Sequence, residues 1–249
     1  MIKRILKSLL GRVGLRVIRT TQYPQLVYED TGRTYIDNND VIPNFRLRPG
    51  VPQSYAGAPT VWTVNNGTSV IEEEILYSHL TLLKLLKHFY FETVLDIGSH
   101  QQREARILRH VGKKVITVEI VPGYDSDYRE DYLRIDFGQK FDAIWCSQVL
   151  EHQRNVGVFL EKIFNDLKES GVFALTVPFN LSPHLDFGHC NIFSPLIVLY
   201  HLVLAGFDCS RAAVKCYNNN IGIIVVKKSN NIYSRPFASL PNTPDKQDS

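Results

Sequence analysis

The chain has few means of covalent cross-linking. Its 249 residues include four cysteines, Cys146, Cys190, Cys209 and Cys216, and none forms a C-x-x-C pair. All sit in or near apolar segments, so they read as reduced thiols, and the expected compartment is the cytoplasm. No run reaches the ~18 apolar residues that a membrane-spanning helix needs. The chain also lacks a P-loop, a G-x-S-x-G elbow and a G-x-G-x-x-G turn. Those absences argue against the common signatures of nucleotide hydrolysis, serine-hydrolase chemistry and dinucleotide binding. Glycine and proline, at 15 and 12 residues, are not inflated, so a packed globule is expected rather than a disordered chain.

Acidic residues are missing from one end. The first 20 positions hold six of the 28 lysines and arginines and none of the 25 acids. The rest of the chain is therefore slightly acidic, and a globally basic nucleic-acid binder is not indicated. Within that end, Ile2, Ile5, Leu6, Leu9, Leu10 and Val13 recur at helical spacing between cationic residues. This predicts a basic amphipathic helix over residues 1–20. Lys7 and Arg12 interrupt the apolar core that a signal peptide requires. Residues 1–19 can lie on an anionic inner-membrane surface, dock on a partner, or pack on their own domain.

Residues 21–68 are polar, with five scattered prolines, and predict an irregular segment or lid. Gln25–Tyr28 and Val61–Val64 are its candidate strands. Tyr23, Tyr28, Tyr35, Tyr55 and Trp62 either wall an acceptor site or anchor the segment to the core. Ser69-Val70-Ile71-Glu72 has the form of a capping box, predicting a helix from there to about Phe89, with His79 on its buried stripe.

Apolar and amphipathic runs then alternate. Strands are expected at Thr93–Ile97, Lys114–Val118, Leu133–Asp136, Asp142–Cys146 and Val172–Val177. Helices are expected at Arg103–His110, Asn155–Leu167 and Pro195–Ala205. Two extended segments, Asp208–Tyr217 and Ile221–Lys227, close the pattern. The expected fold is α/β: a doubly wound, Rossmann-like, mostly parallel sheet over residues 69–228, ending in an antiparallel strand pair. Residues 229–249 are polar and proline-bearing, and predict a disordered tail.

In such sheets ligands bind beyond the carboxyl ends of the strands, where the topology reverses. The first domain strand ends in Val94-Leu95-Asp96-Ile97-Gly98. The second ends at Glu119, which lies 23 residues after Asp96. An acid there suits a pair of ribose hydroxyls. Asp136 follows, positioned to accept a hydrogen bond from an adenine amino group.

These residues resemble the class I S-adenosylmethionine-dependent methyltransferases. The resemblance extends through Phe141-Asp142-Ala143-Ile144, Ser147-Gln148-Val149-Leu150-Glu151-His152 and Asp166–Gly171. It continues through Thr176-Val177-Pro178, His189, Phe193-Ser194-Pro195 and Ala205-Gly206-Phe207. Over about residues 70–228 it is similar to the bacterial branch that modifies sugars and small molecules. It implies S-adenosylmethionine as cofactor, with Asp96, Gly98 and Ser99 lining the methionine and ribose part. Glu119 would serve the ribose, Asp136 the adenine, and Ser147 would border the same crevice. The glycine turn is atypical: only Gly98 remains, followed by Ser99, His100, Gln101 and Gln102. Either His100 or Gln102 protrudes into the pocket, or both side chains point away.

For chemistry, His152 is the best general-base candidate, and His184 and His189 lie on a loop expected to face the acceptor. Glu151 is expected to point to the opposite side. His184, Asp186 and His189 could be read as an H-x-D-x-x-H metal set, but their spacing fixes no geometry, and no metal is assigned. The resemblance implies an enzyme that methylates a small-molecule or saccharide acceptor, with surface-polysaccharide biosynthesis suggested by the branch and by the basic start. Its expected place is the cytoplasm, peripheral to the inner membrane, with no nucleic-acid partner. The alternative is a catalytically inactive methyltransferase-fold protein that binds or scaffolds.

Overall fold

The computed structural model describes residues 45–47, 60–75, 77–179, 188–217 and 220–228. The basic helix expected over residues 1–20, the strand at Gln25–Tyr28 and the tail from residue 229 lie outside them. So do Tyr23, Tyr28, Tyr35 and Tyr55.

Two sheets are present among the described residues. A small antiparallel one contains β1 (Phe45–Leu47), β2 (Thr60–Asn65) and β3 (Val70–Ile75), in that order. Here the structure departs from the expected helix at Ser69. Val70–Ile75 pairs along its whole length with β2, from Asn65↔Val70 to Thr60↔Ile75. Its β-branched residues and alternating burial suit a pleated strand. Asn66 closes the hairpin, its Oδ1 accepting from the backbone N–H groups of Thr68 and Ser69. The helix α1 begins later, at His79, and runs to His88. His79 packs edge-on against the Tyr217 ring.

The main sheet contains β4 (Thr93–Ile97), β5 (Lys114–Val118), β6 (Phe141–Ser147), β7 (Leu167–Pro178), β8 (Ala213–Tyr217) and β9 (Asn220–Val226). Its order is β5-β4-β6-β7-β9-β8. The contacts from β5 through β7 are parallel, while β9 runs antiparallel to both β7 and β8. The doubly wound architecture with a closing antiparallel pair is therefore present as expected. Continuous burial along β4 and β9 explains their unbroken apolar sequences, because a central strand faces protein on both sides. Leu133–Asp136 is not a strand. Tyr132–Arg134 forms a 3-10 turn capped by the Asp131 carboxylate, which competes with sheet pairing. Among the described residues, a single bridge from Val118 to Tyr128 continues the ladder outward from β5.

Helix α2 (Arg103–His110) joins α1 on one face of this sheet, and α3 (Val156–Asp166) and α4 (Pro195–Leu204) cover the other. Successive β6 residues serve opposite layers: Ala143 and Trp145 face α1 and α2, while Ile144 and Cys146 face α3 and α4. Trp62 and Val64 of β2 pack into the first layer. Trp62 is thus an anchor of the early segment in the core rather than part of an acceptor wall. At α4, Ser194 caps the helix by accepting from Ile197 N–H, and Pro195 occupies the first turn. No described helix is long and apolar enough to cross a membrane.

Candidate functional site

The chain leaves β4 for β5 on one side and returns to β6 on the other. The crevice outside the carboxyl ends of β4 and β6 is therefore the topological switch point. Four buried polar atoms with no hydrogen-bond partner among the described residues lie on segments at these ends: Asp96 Oδ2, Ser99 Oγ, and both carboxylate oxygens of Glu151. Buried polar atoms rarely go unpaired without a ligand, water or chemistry to explain them.

The turn after β4 keeps the backbone of a glycine-rich loop without its glycines. Gly98, His100 and Gln102 have φ of 75°, 44° and 56°. The left-handed region costs a residue with a Cβ roughly 1–2 kcal/mol, so His100 and Gln102 are held there by their contacts. Gln102 Nε2 donates to the Asp125 carbonyl oxygen at 2.6 Å, and its Oε1 accepts from Arg109 Nη1 at 2.6 Å. The His100 ring lies on Tyr124, with centroids 3.9 Å apart. Both side chains thus reach the loop that follows β5. Gly98 is required for a different reason: a Cβ there would collide with Val149 Cγ2.

Glu119 is buried and organises the same loop. Its Oε2 accepts from His100 N–H at 2.7 Å, and its Oε1 accepts from Val121 N–H at 2.8 Å. Each oxygen keeps a further lone pair for a ligand hydroxyl. Asp96 is 2% exposed. Burial, with Glu104 adding to it and Arg109 opposing, holds its carboxyl well above the usual range. Asp136 is separate from this group. It is exposed, its Oδ1 accepts from Gly138 N–H, and among the described residues no hydrogen bond joins it to Asp96 or Glu119.

On the β6 side, Ser147 Oγ is 2.8 Å from Thr176 Oγ1. Gln148 has φ of 56°, and its Nε2 donates to Thr176 Oγ1 and, at 3.0 Å, to Asn220 Oδ1. Glu151 is 0% exposed, and burial pushes its carboxyl up to about 7. Its backbone carbonyl accepts from Cys190 N–H at 2.8 Å and Asn191 N–H at 3.1 Å. That brings His189 beside His152, the ring centroids 4.8 Å apart.

Of the expected site residues, Asp96, Gly98 and Ser99 therefore share the turn after β4, and Glu119 ties into it. Ser147 lies across the switch point. His152 and His189 pair with each other, and His184 lies outside the described residues. Glu151, expected to face away, is instead one of the residues that meet His189. No local sequence signal announces this, because the meeting depends on the segment at Cys190 and Asn191 bonding back to the Glu151 carbonyl.

A family profile described as "Methyltransferase domain" matches residues 72–199. Among solved structures, one similar chain is the Burkholderia thailandensis 1,6-didemethyltoxoflavin-N1-methyltransferase with bound 1,6-didemethyltoxoflavin and S-adenosylhomocysteine. It has 18% identity and a TM-score of 0.50, with 60% of this chain and 77% of that one covered. Another is the N-methyltransferase NodS from Bradyrhizobium japonicum WM9 in complex with S-adenosylhomocysteine, at 15% identity and a TM-score of 0.48, covering 59% and 84%. A third, from Archaeoglobus fulgidus, is a S-adenosylmethionine-dependent methyltransferase at 16% identity and a TM-score of 0.48, covering 60% and 94%. No curated protein matches the chain.

Proposed function

The chain belongs to the methyltransferase domain family, and from that premise we propose that it is a S-adenosylmethionine-dependent methyltransferase acting on a small-molecule or glycan-like acceptor. The observation that carries this reading is the pair of buried, unpartnered atoms Asp96 Oδ2 and Ser99 Oγ beside a left-handed turn. They fit the cofactor's amino-acid end, since a buried carboxylate without a partner is stabilised by an ammonium group. Glu119 has lone pairs left for ribose hydroxyls. When bound, S-adenosylmethionine supplies an electrophilic methyl group on a sulfonium.

The chain's own residues do the remaining work by position. Asp96 fixes the cation, and Gly98 lets Val149 close against the turn. Ser147, Gln148, Thr176 and Asn220 form a connected polar group suited to an acceptor's hydroxyls. His152 Nδ1 is 2.9 Å from the Gly188 carbonyl oxygen. A carbonyl only accepts, so Nδ1 carries the proton and Nε2 holds the lone pair that can take one from an acceptor hydroxyl. His189 stands beside it, and His184 is assigned to the same loop from sequence alone. Asp136 keeps its proposed adenine role on the same footing.

The sequence also supports work on a surface polysaccharide or lipid-linked sugar at the inner-membrane face, through residues 1–19. The second reading is a methyltransferase-fold protein that binds without turnover. It is favoured by one observation: two residues with side chains occupy left-handed positions where the family carries glycine.

Calorimetry of S-adenosylmethionine on the purified chain tests the first reading. Binding that disappears in Asp96→Ala and Glu119→Ala upholds it. No binding at millimolar ligand overturns it and leaves the scaffold.

A further inference from the structure

Glu151, His152 and His189 come together from two separated stretches of chain. One ligand-capable atom from each lies within 4.8 Å of the others. A cation bonded at about 2.1 Å to carboxylate oxygen and imidazole nitrogen spans donors up to roughly twice that distance. Small side-chain rotations therefore suffice to close the set.

Five features make this more than a chance meeting. Both Glu151 carboxylate oxygens are buried with no hydrogen-bond partner among the described residues, and an acid withdrawn from water in that way is stabilised by a bound cation. The bond from His152 Nδ1–H to the Gly188 carbonyl orients the ring and makes Nε2 the nitrogen that can ligate in the neutral ring, the usual support of a metal-ligating histidine. Gly188 has φ of 87° and its Cβ position would lie 3.4 Å from His152 Nδ1, so glycine suits this close approach. The His189 segment is held at Glu151 by the two backbone bonds to its carbonyl, and by Asn191 Nδ2 donating to the Gln153 carbonyl at 2.7 Å. His152 is exposed, which gives a cation a route in.

We propose that Glu151, His152 and His189 form a binding site for one divalent first-row cation, with open coordination positions facing the acceptor side. One carboxylate and two imidazoles suit zinc, manganese, iron(II) or cobalt rather than magnesium or calcium, which prefer all-oxygen shells. Three protein ligands with positions left over are the arrangement of a site that takes an outside ligand, not of a closed structural one. The occupant of those positions rests on the methyl-transfer reading: an oxygen of the acceptor. With the cation bound, His152 and His189 act by holding it, and neither takes the acceptor's proton. Glu151 and His152 lie far from His189 along the chain, so spacing alone groups His189 with His184 and Asp186 instead.

The test is cobalt(II) titration of the chelator-treated full-length protein. It is followed by visible absorption and repeated with zinc by calorimetry. One equivalent is expected to bind and to produce ligand-field bands. Glu151→Gln and His189→Ala should each weaken it by more than roughly tenfold, the loss that even an outer partner's removal can cause. Thermal unfolding of both variants checks that they fold, and His152→Ala provides a second route on an exposed residue. No binding by the wild type, or wild-type affinity in all three folded variants, overturns the site. Cobalt binding in a protein that fails to bind S-adenosylmethionine upholds the site and removes only its link to methyl transfer.

Discussion

His100 donates its backbone N–H to Glu119 Oε2 at 2.7 Å, so the acid at the end of one strand holds the turn at the end of its neighbour. A residue proposed as a ribose ligand is also a structural support of the turn after β4.

Removal of that support has two separable effects. Glu119→Ala loses two charge-assisted bonds to backbone amides, those from His100 and Val121. We expect a loss of about 2–4 kcal/mol in denaturant unfolding together with loss of cofactor affinity. A variant that loses affinity at wild-type stability would deny the supporting role.

The left-handed turn predicts a contrast between two glycine substitutions. His100→Gly relieves strain but forgoes a ring contact with Tyr124, and should stay within about 1 kcal/mol of wild type. Gln102→Gly also forfeits its bonds to Asp125 and Arg109, and should cost about 1–3 kcal/mol. Unfolding midpoints of the two variants decide, and equal stability would contradict the bracing role of Gln102.

Burial, reinforced by Glu104, keeps the Asp96 carboxyl raised. A group raised in the folded state is favoured at low pH, and its contribution is lost as pH rises through the folded value. Arrival of an ammonium group favours the ionised form, so cofactor binding should release a proton. Calorimetry in buffers of different ionisation enthalpy measures this: the apparent enthalpy should vary with buffer in the wild type and not in Asp96→Asn. A buffer-independent wild type would refute it.

His79 works in the opposite direction. Burial lowers its imidazole from 6.5 to about 4. Between those values the unfolded chain binds the proton and the folded chain does not, so stability falls as pH drops from 6.5 toward 4. His79→Gln should flatten that part of the unfolding profile by about 3 kcal/mol. An unchanged slope would count against it.

Sequence pattern was informative where burial is two-sided or strictly periodic. Thr93–Ile97, Arg103–His110 and Lys114–Val118 carry their own period and occupy the expected bounds. Val70–Ile75 did not announce itself, because a capping-box sequence and a half-buried strand coincide there and the partner β2 decides. Leu133–Asp136 was misread because Asp131 satisfies a backbone amide locally and diverts the chain from the sheet. At the candidate site, the position of Asp96, Ser99 and Glu119 at the ends of neighbouring strands was legible from the sequence. Two matters were settled only by tertiary contacts: the direction of His100 and Gln102, fixed by a loop some 20 residues away, and the meeting of Glu151 with His189.

The reversed strand β9 has a consequence for selectivity. Every other strand that reaches the crevice contributes its last residues, whereas β9 contributes its first, Asn220, opposite Pro178. Asn220 therefore stands at the crevice end of the sheet, where its Oδ1 accepts from Gln148 Nε2. On the proposed methyl-transfer reading, a substitution at Asn220 would retune what the crevice admits while the ladder behind it, from Ile221 to Val226, keeps its register.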